Sequence, residues 1–376
     1  MRSMETYRLK SKLVENNKEY VIRTANDTRL SLVSSEVLVD GRTAETVRSP
    51  YPVEIDSDEV LSLVKTRHGR MKKEIETLLA AYRRVMTGGS TQKMHQLGTG
   101  FFYKRFYAEA RELFQSAVKL DPHYHSAFNY LGMTELALGN AEDAVRAAAI
   151  AVEKCPTYAD YRNNFGEALL AGGSCKRAFI EFEEAARINL YYSDAYFNLG
   201  LALVQNALSR EDTGLFEDVL SRSAGFFRKA AIIYPEYESD AYRQGLDLLR
   251  DSHLDQALQL LKAVREAKKE SHCREFATFH MRLFTYPESV SQEAIAERIE
   301  FLQSEIDRNP TYVDLQTELG RCYLDHAGLL WNKGIQQYQQ ALKMNPSLPG
   351  LSETLDEVER QYHDICLVLS RQADKS

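Results

Sequence analysis

The sequence contains the residue types that do chemistry, but not in the spacings that chemistry needs. It has no glycine loop that could cradle a phosphate, no serine flanked by glycines in G-x-S-x-G, and no H-E-x-x-H helix for a catalytic metal. Gly172-Gly173 reads as a turn between helices. His123 and His125 flank Tyr124 and could suggest a metal, but they fall in a connecting loop and read as a solvated turn. Arg23 and Arg29 are wrongly spaced for the R-x-x-x-R motif of cyclic-dinucleotide-binding barrels. Cys155, Cys175, Cys273, Cys322 and Cys366 are scattered, odd in number and never in a C-x-x-C pair. They read as reduced thiols packed in a core, not as a disulfide framework or a zinc site. We therefore expect no catalytic residues, no cofactor and no metal, and a non-enzymatic protein.

Bulk properties narrow the class. A formal net charge of -7 argues against a general nucleic-acid binder, which needs a basic excess to meet phosphates. The charge is uneven: residues 1–87 hold 16 basic and 13 acidic side chains, the remainder 31 and 41. No apolar run approaches the roughly 20 residues that span a bilayer. The first residues carry no secretory pattern, and the cytoplasm is the expected location.

The elements that must position any site declare themselves by repetition. Gly98, Gly132, Gly166 and Gly200 stand 34 apart, each after a large apolar residue: Leu97, Leu131, Phe165 and Leu199. The same step links Ala110, Ala144 and Ala178; Ala117, Ala151 and Ala185; and Tyr124, Tyr158 and Tyr192. Pro122 and Pro156 obey it too. A fixed period of this length marks a solenoid of helix-turn-helix units, with small residues where helices cross and proline where one unit ends.

The pattern resembles the tetratricopeptide repeat family over residues 91–348. The resemblance implies a mostly α, right-handed helix-turn-helix solenoid. We expect about seven units in residues 88–348, with a longer connection near 206–216. The sixth unit is degenerate, with breakers at Tyr286-Pro287 and Asn309-Pro310. The seventh carries Leu319-Gly320, Tyr323 and Tyr338 and ends at Asn345-Pro346. A capping helix and tail follow in 349–376.

Residues 1–87 read as a small α+β domain. Strand-like runs at 7–14, 19–24, 30–39 and 42–47 are joined by Asn16-Asn17 and Asp40-Gly41, both turn signals. Asp56 can cap a helix running to about Met86. That helix carries a basic run of Lys65, Arg67, His68, Arg70, Lys72 and Lys73, expected to be a solvated face. Residues 87–90 read as a linker.

The resemblance also places candidate binding residues. The residue just before each Leu-Gly pair is expected to face the concave groove, giving Tyr130, Asn164 and Asn198, with Asn129, Asn163 and Phe197 beside them and Arg243 one unit later. An amide offers both a donor and an acceptor, so such asparagines can grip a peptide backbone. Asp160 and Asp194 make the groove acidic and favour a partner bearing lysine or arginine. The family's dicarboxylate clamp is absent, because its slots hold His95, Thr99, Tyr130, Asp160 and Asn164, of which only Asn164 fits. The expected function is a scaffold or adaptor binding a protein or peptide segment. The alternative is a structural protein that assembles with copies of itself.

Overall fold

The computed structural model describes residues 5–15, 17–212, 214, 218–285, 292–308, 313–345 and 350–373. The fold is mostly helical, with fourteen α-helices and one four-stranded sheet among the described residues. The chain divides into two compact units, Met1–Ile188 with Ser193–Thr285, and Asn189–Tyr192 with Tyr286–Ser376.

The first unit opens with an antiparallel meander of β1 (Arg8–Glu15), β2 (Lys18–Asp27), β3 (Leu32–Val39) and β4 (Arg42–Pro50). Asp40 and Gly41 both adopt positive φ, 47° and 81°, as a tight hairpin requires. Helix α1 (Ser57–Gly88) is capped by Asp56, whose carboxylate accepts the Glu59 amide at 2.9 Å. It covers one face of the sheet with Val60, Val64, Met71 and Ile75.

The expected linker at 87–90 is a two-residue turn. Helix α2 (Thr91–Tyr103) begins at once, capped by Ser90. Sheet, α1 and the first repeat share one core, in which Tyr20, Ile22, Val37 and Ile75 are continuous with Leu97, Phe101, Phe106 and Phe114. Buried Lys104 bridges Glu45 of β4 at 2.9 Å and Glu74 of α1 at 2.6 Å. Tyr20 donates to Glu109 at 2.7 Å. A small sheet cannot stabilise itself alone, and here the repeat supplies its partner surface.

Four helix pairs then stack in succession. They are α2 with α3 (Tyr107–Leu120), α4 (His125–Ala137) with α5 (Ala141–Lys154), α6 (Ala159–Ala171) with α7 (Cys175–Ile188), and α8 (Ser193–Ser209) with α9 (Val219–Ile233). Each recurring glycine lies against the helix that follows it. A Cβ on Gly98, Gly166 or Gly200 would meet Phe114, Phe182 or Phe227 within 2.8 Å, and one on Gly132 would meet Ala148 at 3.1 Å. The repeat glycine therefore makes room for an aromatic ring in three of the four pairs.

The turns are equally regular. Seven residues after the repeat glycine the chain takes positive φ at Arg105, Gly139 and Gly173. Paired backbone bonds close each helix end, as in Asn140 to Glu135 at 2.9 Å and Gly139 to Leu136 at 3.0 Å. In the fourth pair helix α8 runs on, and the positive φ falls at Arg210.

The regularity then breaks. After a 3-10 turn at Pro235–Tyr237, α10 (Asp240–Arg250) packs mainly on α11 (Leu254–Thr285) and only slightly on α9. Helix α11 has 32 residues where earlier second helices have 14 or 15. Asp121-Pro122 and Cys155-Pro156 end the first two pairs, but Lys268-Lys269 stands at that place here. The third pair has no proline there either, but Asn189 turns the chain by accepting the Tyr191 amide at 3.0 Å; two lysines do neither, and the helix continues.

The second unit contains α12 (Gln292–Arg308), α13 (Val313–Met344) and α14 (Leu351–Ala373). The helix pair expected around Gly320 is one helix, α13. The turn position seven residues after that glycine is Ala327, the strongest helix former, and a Cβ on Gly320 would meet nothing within 4 Å. Helices α12 and α14 both pack on α13, with Ile295, Ile299 and Leu302 buried and Trp331 stacked on Tyr362. The breakers expected at Tyr286-Pro287, Asn309-Pro310 and Pro346 lie outside the described residues.

Candidate functional site

Successive first helices touch one another, α2 with α4, α4 with α6 and α6 with α8. The array therefore curves with these helices on its inside. That inner row is the groove, and α11 lies in it, packing along α8 and α2 and reaching α1.

The contacts of α11 are specific and mostly polar. Its apolar side, Ala257, Leu258, Leu261 and Val264, is buried, and Leu261 closes on Gly245 of α10. Its basic side meets the groove. Lys262 donates to Gln205 at 2.7 Å, and Arg265 donates to the Asn198 Oδ1 at 2.9 Å. Lys268 pairs with Asp194 at 2.5 Å and donates to Ser193 at 3.1 Å, while Lys269 pairs with Glu167. Glu270 pairs with Arg105, at the end of the first repeat's inner helix.

The candidate residues take distinct places. Asn198 is fully buried and donates to Asn163 at 2.9 Å and to Glu167 at 3.1 Å. Asn163 is buried and donates to Glu167 at 3.3 Å. Asn164 is half-buried and donates to Asn129 at 3.0 Å. The asparagines thus form amide pairs between neighbouring inner helices, and Asn129, expected to face the groove, is buried among them. Phe197 belongs to the core, stacked on Tyr237 with ring centroids 4.5 Å apart. Tyr130 lies in an aromatic cluster with His95, Phe102 and Phe114, and its hydroxyl is 3.2 Å from that of Tyr103. Asp160 is half-buried in the first turn of α6. Arg243 is exposed and pairs with Asp240 on its own helix at 3.1 Å; it does not extend the asparagine row, because α10 has left the stacking register.

The electrostatics follow from burial among opposite charges. Burial alone would raise the Glu167 carboxyl, but Lys269 and Arg265 overcome this and hold it below the usual range. For Asp194 the same contest, won by Lys268 with help from Tyr237, ends at about 2. Burial lowers Arg265, and Glu167 and Glu266 more than restore it. The groove floor thus sets the carboxylates of Glu167 and Asp194 against Arg265, Lys268 and Lys269 of α11.

Two features differ from the sequence reading elsewhere. His68 is not part of a solvated basic face. It is buried against the sheet, 2.8 Å from the Ser11 hydroxyl and 3.1 Å from that of Thr24, and burial, then Lys72, lowers its pKa. Glu167, Arg265, Lys268 and Lys269 escaped the reading because they fall outside the slots counted from Leu-Gly. The signal that could have found them is Lys268-Lys269 standing where the first two units have proline. His123 and His125 show no metal-ligating cluster among the described residues, and His125 instead lies 2.8 Å from the Tyr161 hydroxyl. No helix among the described residues is long and apolar enough to cross a membrane.

The helix pairs and their glycine spacing place the array among the tetratricopeptide repeats. The tetratricopeptide repeat family profile matches residues 95–159 and 131–189, so this segment consists of tetratricopeptide repeats. Among solved structures, the chain is similar to a crystal structure of MamA at 20% identity, with 46% of this chain and 96% of that one covered and a TM-score of 0.34. It is similar to TTC0263, a thermophilic TPR protein from Thermus thermophilus, at 24% identity over 51% and 99%, TM-score 0.37. It is also similar to YrrB, a TPR protein with an unusual peptide-binding site, at 15% identity over 53% and 97%, TM-score 0.36. No curated protein sequence gives a significant match.

Proposed function

We propose that this chain is a non-enzymatic protein–protein interaction scaffold whose inner groove, lined by α2, α4, α6 and α8, takes a segment of a partner protein. One observation supports the reading above others: the groove already holds a helix, and holds it through cations. Glu167 of α6 and Asp194 and Asn198 of α8 offer acceptors on two neighbouring inner helices, and Lys269, Lys268 and Arg265 of α11 meet them. A surface built this way favours a partner segment bearing lysine or arginine. The cytoplasm, a reducing compartment, suits the thiols Cys155 and Cys175.

The test is photo-crosslinking with the full chain. A crosslinking residue placed at half-buried Asn164 in the groove is compared with one at exposed Ile180 on α7. Groove binding gives partner adducts from position 164 and few from 180. Adducts from position 180 alone would refute the groove, and adducts there to a second copy of this chain would favour self-assembly.

A further inference from the structure

Lys268 sits in a site that its own helix does not build. Its ammonium lies 2.5 Å from Asp194, 3.1 Å from the Ser193 hydroxyl, 4.2 Å from the centre of the Tyr234 ring and 4.7 Å from that of Tyr237. A carboxylate, a hydroxyl and two aromatic faces are the groups that recognise an alkylammonium ion. The walls are fixed independently of the lysine. Tyr237 is buried, stacked on Phe197, and donates its hydroxyl to Asp194. Tyr234 lies edge-on to Tyr237, at 5.6 Å between centroids, and its hydroxyl donates to Glu236 at 2.6 Å. The lysine arrives from a helix 74 residues further along the chain than Asp194.

We propose that Ser193, Asp194, Tyr234 and Tyr237 form a lysine receptor, filled in cis by Lys268 and offered to a lysine on a partner helix when residues 268–285 of α11 withdraw. The partner half of the inference rests on the groove reading above; the receptor itself does not. Exchange is feasible because the desolvation of a buried ion pair offsets most of its Coulomb gain. An incoming lysine replaces like with like. It competes against a tethered ligand whose effective concentration is on the order of millimolar, so the closed state rejects weak partners.

The receptor is tested by chemical complementation. Lys268→Ala empties it in the full chain, and n-butylammonium chloride, the lysine head and stem, is titrated against potassium chloride of equal ionic strength. The expected result is a saturable rise in the melting midpoint of Lys268→Ala, absent from the wild type and from Lys268→Ala with Asp194→Asn. A folded Lys268→Ala chain without saturable rise overturns the receptor. The partner role uses a labelled peptide of residues 262–285 and the full chain carrying Lys268→Glu with Lys269→Glu, which repels α11 from the groove. The peptide is expected to bind this variant roughly tenfold or more tighter than the wild type, about 1.4 kcal/mol, and to lose the gain when its own Lys268 is replaced by glutamine. Equal binding overturns exchange. Should either variant fail to fold, acetylation footprinting of the wild type decides: Lys268 reacts at least about tenfold more slowly than exposed Lys119, and excess peptide removes the protection. Uniform reactivity overturns the proposal. Groove adducts from position 164 without amine rescue would sink the receptor and leave the scaffold reading intact.

Discussion

The repeat glycines allow one substitution to be predicted with opposite signs at two positions. At Gly166 an added Cβ would lie 2.5 Å from Cε1 and 2.7 Å from Cδ1 of Phe182. The Phe182 ring is fully buried and cannot swing into solvent. The helices must part or the ring must leave its rotamer, at a cost of about 1–3 kcal/mol. Replacing a mid-helix glycine by alanine returns about 1 kcal/mol through backbone entropy. For Gly166→Ala the net is a loss of up to about 2 kcal/mol. Gly320 holds the same register in the sequence, yet a Cβ there meets nothing within 4 Å. Gly320→Ala therefore keeps the helical gain without a clash and stabilises by up to about 1 kcal/mol. Hydrogen exchange followed by peptide mass spectrometry reads each unit separately, which a single melt of a repeat protein does not. Faster exchange in α6 and α7 for the first variant and slower exchange in α13 for the second are expected. If Gly166→Ala slows exchange in α6 and α7, as it would with the helical gain and no clash, the steric account of the repeat glycine is wrong. If Gly320→Ala speeds exchange in α13, a close helix partner exists there.

Other perturbations follow from the same contacts. Lys104→Met leaves Glu45 and Glu74 facing each other without their shared cation and should cost about 3–5 kcal/mol in a urea melt, uncoupling the sheet from the first repeat. The His68 pKa is lowered in the fold, so the unfolded chain binds the extra proton; stability is full above the ordinary histidine value of about 6.5 and falls as pH drops through it toward the folded value. His68→Gln should flatten that acid limb of the pH–stability curve. Asn198→Ala removes one acceptor of half-buried Arg265 and leaves buried Asn163 and Glu167 without its amide donor, and should cost about 1–3 kcal/mol, so it cannot serve as a silent groove variant. Limited proteolysis should cut after exposed Arg210 before residues 87–90, where only a two-residue turn joins α1 and α2.

The repeating part is legible in the amino-acid order, because each unit's requirements are local. A small residue at the helix crossing, a left-handed residue seven positions on in the first three pairs, and a proline at the end of the first two act within one helix pair, so they recur in the sequence with the period of the structure. The hairpin at Asp40-Gly41 and the cap at Asp56 were legible for the same reason. The course of α11, by contrast, is set by long-range packing. The absence of a breaker at Lys268-Lys269 allows a helix to continue but does not say where it goes. Its path depends on α10 leaving the stacking register after Pro235–Tyr237, and on acceptors at Glu167 and Asp194, 102 and 74 residues away. Asp194 could be read from the sequence as an acid of the inner face; that the chain supplies its cation, Lys268, could not. The asparagine slots show the same division. Their spacing marks the inner face of the array, but burial is set by what covers that face, and here it is another part of the same chain.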